Sequence, residues 1–187
     1  MLILFRGLPG TGKTTLIREL SKNADVIVLS RDELRKKMFK KPRYSETEKD
    51  HIDKIIYSAA HSYLHAGANV IIDGMCFTTR EKLDVFVHLA VTYAFPWRLV
   101  ECDCASETAV KRIQQDNAKT KHPAQDRTAD LYWQLRENFE TVPYPKLQVD
   151  TELPIENNVA KCQQYFGWKN GSAATEYESS ISHHVVQ

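Results

Sequence analysis

The segment that decides the fold of this chain is Gly7-Leu8-Pro9-Gly10-Thr11-Gly12-Lys13-Thr14. It matches the phosphate-binding pattern G-x-x-x-x-G-K-[ST] at every defined position. The apolar run Leu2–Arg6 precedes it and predicts a buried strand, and an amphipathic stretch that begins near Lys13 predicts a helix after it. A strand, a glycine-rich loop and a helix in this order predict a loop that binds the phosphates of a nucleotide.

The residue types in this loop predict separate roles. The glycines let backbone N–H groups approach phosphates, the ammonium of Lys13 is expected to reach the β- and γ-phosphates, and the hydroxyl of Thr14 is expected to bind Mg²⁺. Asp73 ends a later apolar strand, where it is either a second Mg²⁺ residue, acting through water, or an ordinary turn aspartate. The residues of this segment expected to bind the nucleotide are Gly7, Pro9, Gly10, Thr11, Gly12, Lys13, Thr14 and Thr15.

Apolar runs alternate with amphipathic stretches over most of the chain, and this alternation predicts an α/β fold around a parallel sheet. The predicted strands are Leu2–Arg6, 26–29, 69–73, Trp97–Asp103 and Leu147–Asp150. We predict a three-layer P-loop NTPase sandwich of the nucleoside-kinase type, with a five-stranded parallel sheet and helices on both faces. Residues 1–168 form one predicted domain, and residues 169–187, rich in Ser, Ala, Glu and His, a flexible tail.

A Ser or Thr followed three residues later by Glu is a capping box, which predicts the start of a helix. The chain has three such pairs, namely Ser30 with Glu33, Ser45 with Glu48, and Thr78 with Glu81. The first pair directly follows the second predicted strand, so its helix begins at the edge of the sheet where ligands of open parallel sheets bind.

Asp32 and Arg35 lie in the first turn of that helix and share one face, because they are three residues apart. A carboxylate at this edge can accept the proton of an attacking hydroxyl, and a guanidinium beside it can bind phosphate oxygens with its planar fork. The alternative is that Asp32 is only a favourable first-turn charge and Arg35 a solvated surface residue.

These features together resemble the AAA_33 family of P-loop kinases. The resemblance rests on residues 7–15, on Leu29-Ser30-Arg31-Asp32-Glu33-Leu34-Arg35, on Tyr44-Ser45 and on residues 67–73. Over roughly residues 1–166 the chain is similar to the kinase domain of phage-type polynucleotide 5′-hydroxyl kinases, and more loosely to zeta-toxin-like kinases and to gluconate or antibiotic phosphotransferases. The resemblance implies that Asp32 is the general base and that Arg35 contacts the reacting phosphates.

The resemblance also implies a lid over the nucleotide, at about residues 117–127, and it adds Arg112 to the nucleotide-binding residues. Polynucleotide kinases carry an arginine early in this lid, whereas residues 113–119 here contain none. Lysine can replace the charge of that arginine but not its bidentate geometry. Arg80 matches an arginine common in the family and either faces substrate or lies on the surface, and by fold analogy Asp150 and Thr151 approach the base of the nucleotide.

The composition limits the partners and the cellular compartment expected for the protein. The net charge of +1 indicates no large field that would attract nucleic acid, although it allows a local basic patch. The four cysteines form no C-x-x-C pair and are expected to be buried, reduced thiols. No run of 18 apolar residues occurs, so no membrane partner is expected and a cytoplasmic location is the prediction.

The predicted activity is transfer of the γ-phosphoryl group of ATP, with Mg²⁺, to a hydroxyl acceptor. The resemblance favours a polynucleotide 5′-hydroxyl, and a sugar, nucleoside or antibiotic is equally compatible. The aromatic side chains available for stacking on bases fall on predicted helices, where core packing is the more frequent explanation; they are Tyr57, Tyr63, Tyr132 and Trp133. A nucleotide-gated or toxin-like binding module and an ATPase motor are the other classes, and no guanine-reading N-K-x-D string is present.

Overall fold

The structure, a computed structural model, describes residues 1–118 and 128–168. In these ranges five strands form one sheet in the order β2-β3-β1-β4-β5, and every neighbouring pair is parallel. The strands are β1 (Leu2–Arg6), β2 (Ile27–Ser30), β3 (Val70–Asp73), β4 (Trp97–Asp103) and β5 (Leu147–Asp150). The predicted α/β fold with a five-stranded parallel sheet is confirmed, and the carboxyl ends of all five strands lie at one edge.

Seven helices of the described ranges connect and flank the strands. They are α1 (Lys13–Ser21), α2 (Arg31–Met38), α3 (Glu46–His65), α4 (Arg80–Thr92), α5 (Ser106–Ala118), α6 (Ala129–Glu137) and α7 (Ile155–Phe166). The predicted lid overlaps the described residues only at 117–118, and the predicted tail at 169–187 lies outside them. Within the described ranges, no helix combines the length and the apolar character needed to cross a bilayer.

Alternate residues of the central strand β1 build the two halves of the core, because successive side chains of a strand point to opposite faces. Leu2 and Leu4 are fully buried on the face covered by α3 and α4. Ile3 and Phe5 are buried on the opposite face against α1 and α7. This two-sided burial explains why the strands read as continuous apolar runs, and it confirms the predicted helix layers on both faces.

At two of the three predicted capping boxes the serine cap forms and the helix starts where the pattern predicts. The Ser30 hydroxyl accepts the backbone N–H of Glu33 at 3.4 Å at the start of α2, and the Ser45 hydroxyl accepts that of Glu48 at 3.3 Å at the start of α3.

The third predicted box, Thr78 with Glu81, is wrong. Helix α4 begins at Arg80, and its N-cap residue, Thr79, makes no side-chain cap hydrogen bond. A distant residue supplies the cap instead, since the carboxylate of Glu140 accepts the backbone N–H of Arg80 at 2.6 Å. The backbone N–H of Glu140 also donates to the carbonyl of Thr78 at 2.9 Å, which fixes the segment after α6 to this turn.

Candidate active site

The phosphate loop leaves β1, follows the carboxyl edge of the sheet and enters α1. Gly10 and Gly12 have φ angles of +78° and +79°, in the left-handed region that favours glycine. A Cβ on Gly10 would also collide with the backbone carbonyl of Ala109, so the loop lies directly against α5. Because Gly12 is the N-cap residue of α1, no side chain at that position covers the first N–H groups of the helix.

The side chain of Lys13 lies inside this loop and is buried. Its Nζ atom donates to the carbonyl oxygens of Gly7 and Leu8, at 2.8 Å each. The hydroxyl of Thr11 donates to the same Leu8 carbonyl at 2.8 Å. The loop therefore surrounds its own ammonium group, which is held by backbone carbonyls of the loop.

The two residues predicted to hold Mg²⁺ are brought together. The Thr14 hydroxyl donates to Asp73 Oδ1 at 3.0 Å, although the two residues are far apart in the sequence. The pairing of β1 with β3 causes this approach, because it places the carboxyl end of β3 beside the phosphate loop. A hydroxyl and a carboxylate form an oxygen donor set, which suits a hard cation such as Mg²⁺.

Asp32 and Arg35 form a buried ion pair at the carboxyl end of β2. Arg35 Nη1 lies 3.1 Å from Asp32 Oδ1, and Arg35 Nε lies 3.0 Å from Glu48 Oε1. All three residues are less than a tenth exposed: Asp32 7%, Arg35 4% and Glu48 8%. The interpretation of Arg35 as a solvated surface residue is therefore wrong, because its guanidinium is held between two carboxylates.

The loop before α3 completes the surroundings of Arg35. The guanidinium carbon lies 4.9 Å from the centre of the Tyr44 ring, within the range of a cation–π contact. Tyr44 has a φ of +56°, a conformation that is uncommon for a bulky residue. The second carboxylate oxygen of Glu48 accepts the backbone N–H of Arg43 at 2.8 Å. Glu48 and Tyr44 therefore hold the guanidinium of Arg35 in place.

A cleft of about 720 Å³ opens beside this ion pair, and we call it the acceptor cleft. Asp32, Arg35 and Pro9 of the phosphate loop line it together with residues of α3 and α4. Apolar side chains line much of it, including Tyr57, Met75, Phe77, Val85, Phe86, Leu131 and Leu135. The cleft therefore adjoins both the phosphate loop and the predicted general base.

Charged side chains also line the acceptor cleft. Arg31 Nη2 donates to Asp53 Oδ2 at 2.9 Å, and the exposed residues Lys54 and Lys82 lie on α3 and α4. Burial raises the pKa of the Asp53 carboxyl, and the charge of Arg31 partly opposes that change.

Arg112 lies on the other side of the phosphate loop, on α5. Its Nη1 atom is 3.0 Å from Thr151 Oγ1, and its Nη2 atom donates to the Thr151 carbonyl at 2.9 Å. Nη1 also lies 3.4 Å from the carbonyl of Gly10. Arg112 and Thr151, predicted separately to approach the nucleotide, are thus in contact with each other and with the loop.

Arg6 is a structural residue of the site that the sequence interpretation missed. It is 1% exposed and is paired with Glu101, and its Nε atom donates to the carbonyl of Phe77 at 2.8 Å. Its guanidinium carbon lies 3.9 Å from the centre of the Phe139 ring, and Nη2 contacts the Glu140 carbonyl. Arg6 therefore joins the end of β1, directly before the phosphate loop, to Phe77, which lines the acceptor cleft. The sequence offers one signal that could have identified Arg6, namely a charged residue at the end of an otherwise apolar strand.

The remaining predicted residues are placed less centrally. Thr15 is exposed in the first turn of α1, and Arg80 is an exposed residue paired with Asp84 at 3.3 Å. Tyr132 is 2% exposed, as expected for core packing, whereas Tyr63 and Trp133 are more than two fifths exposed and do not fit that expectation.

Comparison with solved structures returns proteins described as kinases. A "putative kinase" from Chloroflexus aurantiacus j-10-fl has a TM-score of 0.71 at 24% identity, over 87% of this chain and 96% of that one. The APS kinase CysC of Mycobacterium tuberculosis, in complex with AMPPNP and APS, has a TM-score of 0.66 at 16% identity, over 89% and 96% of the two chains. These two likenesses show the shared fold.

A chain of the Pnkp1/Rnl/Hen1 RNA repair complex has a TM-score of 0.59 at 25% identity. The match covers 82% of this chain and 50% of that one, so the present chain spans about half of that protein. The profile of the AAA_33 family, described as an AAA domain, matches residues 2–140, which is most of the chain and includes the phosphate loop, Asp32, Asp73 and the acceptor cleft. The chain has a P-loop kinase-like, nucleotide-binding fold and belongs to the AAA_33 family.

Proposed function

We propose that this protein is an ATP-dependent kinase that transfers the γ-phosphoryl group to a hydroxyl group bound in the acceptor cleft. The observation that carries the proposal is the place of Asp32, a buried carboxylate that lines a cleft also lined by Pro9 of the phosphate loop. A proton acceptor is needed where a hydroxyl attacks a phosphoryl group, and this geometry supplies one.

On the nucleotide side, the backbone N–H groups of the phosphate loop and the start of α1 bind the β- and γ-phosphates. Lys13 exchanges its carbonyl partners for phosphate oxygens, and Arg112 with Thr151 binds the nucleoside end. Thr14 and Asp73 fit Mg²⁺, because their oxygen atoms already lie 3.0 Å apart beside the loop. When bound, the ion offsets negative charge on the β- and γ-phosphates.

On the acceptor side, Asp32 orients the hydroxyl group and accepts its proton as the oxygen attacks the γ-phosphorus. The new acceptor–phosphorus bond forms as the bond to the bridging β–γ oxygen breaks, and ADP leaves. Arg35 holds the Asp32 carboxylate in place and offsets the charge of the transferring group. Glu48 and Tyr44 fix the guanidinium, so little reorganisation is needed during the reaction.

A polynucleotide 5′-hydroxyl is the first candidate acceptor. Lys54 of α3 and Lys82 of α4, which line the cleft, suit the phosphates that follow such a hydroxyl along a strand. Similarity to a chain of an RNA repair complex supports the same choice.

A small-molecule alcohol is the second candidate. A cleft volume of about 720 Å³ lies within the range typical of small-ligand sites, and the apolar lining resembles the lining of such sites. A sugar, nucleoside or antibiotic bound there would use the same Asp32 and Arg35.

The proposal is tested with purified full-length protein, γ-labelled ATP and Mg²⁺. The acceptor panel contains DNA and RNA oligonucleotides with 5′-hydroxyl ends, matched oligonucleotides with 5′-phosphate ends, nucleosides, sugars and aminoglycosides. We expect label on the 5′-hydroxyl oligonucleotides and none on their 5′-phosphate controls.

Label on a small molecule alone would keep the kinase proposal and change the acceptor. ATP binding without transfer to any member of the panel would contradict the proposal and favour a nucleotide-gated binding module.

A further inference from the structure

Two histidines lie side by side at the end of α3, away from the proposed active site. His61 and His65 are four residues apart on one helix and therefore share a face. Their Nε2 atoms are 3.1 Å apart, and their ring centres are 4.4 Å apart. The end of α3 leads into β3 from the amino-terminal edge of the sheet, whereas the phosphate loop and Asp32 lie at the carboxyl edge.

The turn between α4 and β4 fixes this histidine pair. Ala94 has a φ of +55°, and the turn brings the rings of Tyr93 and Phe95 into a stacked arrangement with centres 5.9 Å apart. The Tyr93 ring lies 4.5 Å from that of His61, and the Phe95 ring lies 5.1 Å from that of His65. These ring contacts restrict the rotamers of both imidazoles while their Nε2 atoms lie within hydrogen-bond distance of each other.

We propose that His61 and His65 bind one divalent transition-metal ion, such as Ni²⁺, Zn²⁺ or Cu²⁺, through their Nε2 atoms. Two metal–nitrogen bonds of about 2.05 Å place their nitrogens about 2.9 Å apart at an angle of about 90° and about 3.3 Å apart at the tetrahedral angle, and the observed 3.1 Å lies between these values. The observed separation therefore matches bidentate binding, and it also matches an N–H···N hydrogen bond that the ion would replace.

The ligand atoms of the histidine pair determine which kind of ion it binds. Imidazole nitrogens suit Zn²⁺, Cu²⁺ and Ni²⁺, whereas Mg²⁺ prefers oxygen, so this site and the Thr14–Asp73 pair select different ions. Among the described residues no group of three or more His, Cys, Asp or Glu side chains could hold a metal ion, so water completes the coordination. Binding gains from the second imidazole because its attachment is intramolecular and preorganised.

The test is calorimetric titration of untagged full-length protein with Ni²⁺. We expect one ion per chain with a dissociation constant in the micromolar range. His61→Ala and His65→Ala should each weaken binding at least about tenfold, since loss of even an outer-shell partner costs about 10–100-fold. His51→Ala is the matched control, because His51 is exposed three turns earlier on the same helix. Excess Mg²⁺ should leave the titration unchanged.

A second pair of histidines in the sequence, His183 and His184, requires its own control. The double variant His183→Ala/His184→Ala should bind Ni²⁺ as the natural sequence does. Loss of binding in this variant, or equal affinity in the natural protein, His61→Ala and His65→Ala, would overturn the proposal.

Thermal unfolding is a second measurement, and it distinguishes loss of the metal site from misfolding of a variant. Ni²⁺ in hundredfold excess over its dissociation constant should raise the melting temperature of the natural protein by about 5 °C or more. His61→Gln and His65→Gln approximately keep the side-chain volume, so without metal they should have the melting temperature of the natural protein. Added Ni²⁺ should raise their melting temperature less than it raises that of the natural protein. An equal gain in all three proteins would contradict the site.

Discussion

The two sides of the proposed active site are built in different ways. The phosphate side comes from consecutive residues, and its contacts run between Lys13, Thr11 and backbone carbonyls of the same loop. The acceptor side is assembled from the start of α2, from α3, from the turn after β3, from α4 and from α6. Its central contact joins Arg35 to Glu48, which lies on another helix.

This difference indicates where chemistry and specificity reside. A loop that binds phosphate through its backbone depends on glycines, one lysine and one hydroxyl, so its function follows from local sequence. A cleft between helices depends on buried ion pairs and apolar walls, so its ligand follows from tertiary packing. Substitutions on the two sides should therefore have different main effects, on catalysis for the phosphate side and on stability for the acceptor side.

The largest expected effect belongs to the phosphate side. Lys13→Ala should lower kcat/KM for ATP by about 10³-fold, because it removes a cation that acts on the transferring phosphate. Melting temperature should fall as well, by a few degrees, because the carbonyls of Gly7 and Leu8 lose a buried donor. Steady-state kinetics and thermal unfolding check both parts, with Lys22→Ala, an exposed residue paired with Glu19, as the matched control. Equal kcat/KM in the two variants would remove Lys13 from the mechanism.

A substitution on the acceptor side should act first on stability. Glu48→Gln should lower the free energy of unfolding by about 2–4 kcal/mol, because it removes one of the two carboxylates that hold the buried Arg35. Glu46→Gln is the matched control on the same helix, and it should stay within about 0.5 kcal/mol because its side chain is 84% exposed. Urea unfolding measures both. Similar values for the two variants would mean that the Arg35–Glu48 pair does not stabilise the cleft.

The smallest expected effect concerns the pH dependence of the cleft. Burial holds the pKa of Asp53 above its usual value of 3.8, so the folded state binds this proton more tightly than the unfolded state. The contribution of the Asp53 carboxyl to the free energy of unfolding is fully present below pH 3.8. It is lost as the pH rises through the folded-state pKa of this carboxyl. The change should stay below about 1 kcal/mol, because solvent screens the half-buried carboxyl.

Urea unfolding at a series of pH values tests this sign. Asp53→Asn should remove the fall in stability above pH 3.8, whereas Asp25→Asn, an exposed control, should keep it. A natural protein whose stability rises with pH relative to Asp53→Asn would contradict the stated direction.

The elements that could be predicted from the sequence are those set by local pattern. Five apolar runs gave the strands, and Ser30 and Ser45 gave the starts of α2 and α3, because a cap involves residues only three apart. The same pattern failed at Thr78, where Glu140 caps α4 from outside the local segment. Local sequence carries no signal for such a distant partner.

The same limit applies to the candidate site. Asp32 and Arg35 could be selected as neighbours on one helix face, but their burial depends on Glu48 and Tyr44. Arg6 could not be selected, because its contacts with Glu101, Phe77 and Phe139 arise only when three separate segments meet. The phosphate loop needed no such partners to be recognised.

The central claim is that Asp32 is the proton acceptor in a transfer from ATP. The most direct measurement compares Asp32→Asn with Asp25→Asn, using labelled ATP and the acceptor that the panel identifies, with ATP binding measured in parallel by calorimetry. We predict that Asp32→Asn lowers kcat by about 10²–10⁴-fold while the dissociation constant for ATP is unchanged, and that Asp25→Asn behaves as the natural protein. Full transfer by Asp32→Asn would contradict the claim.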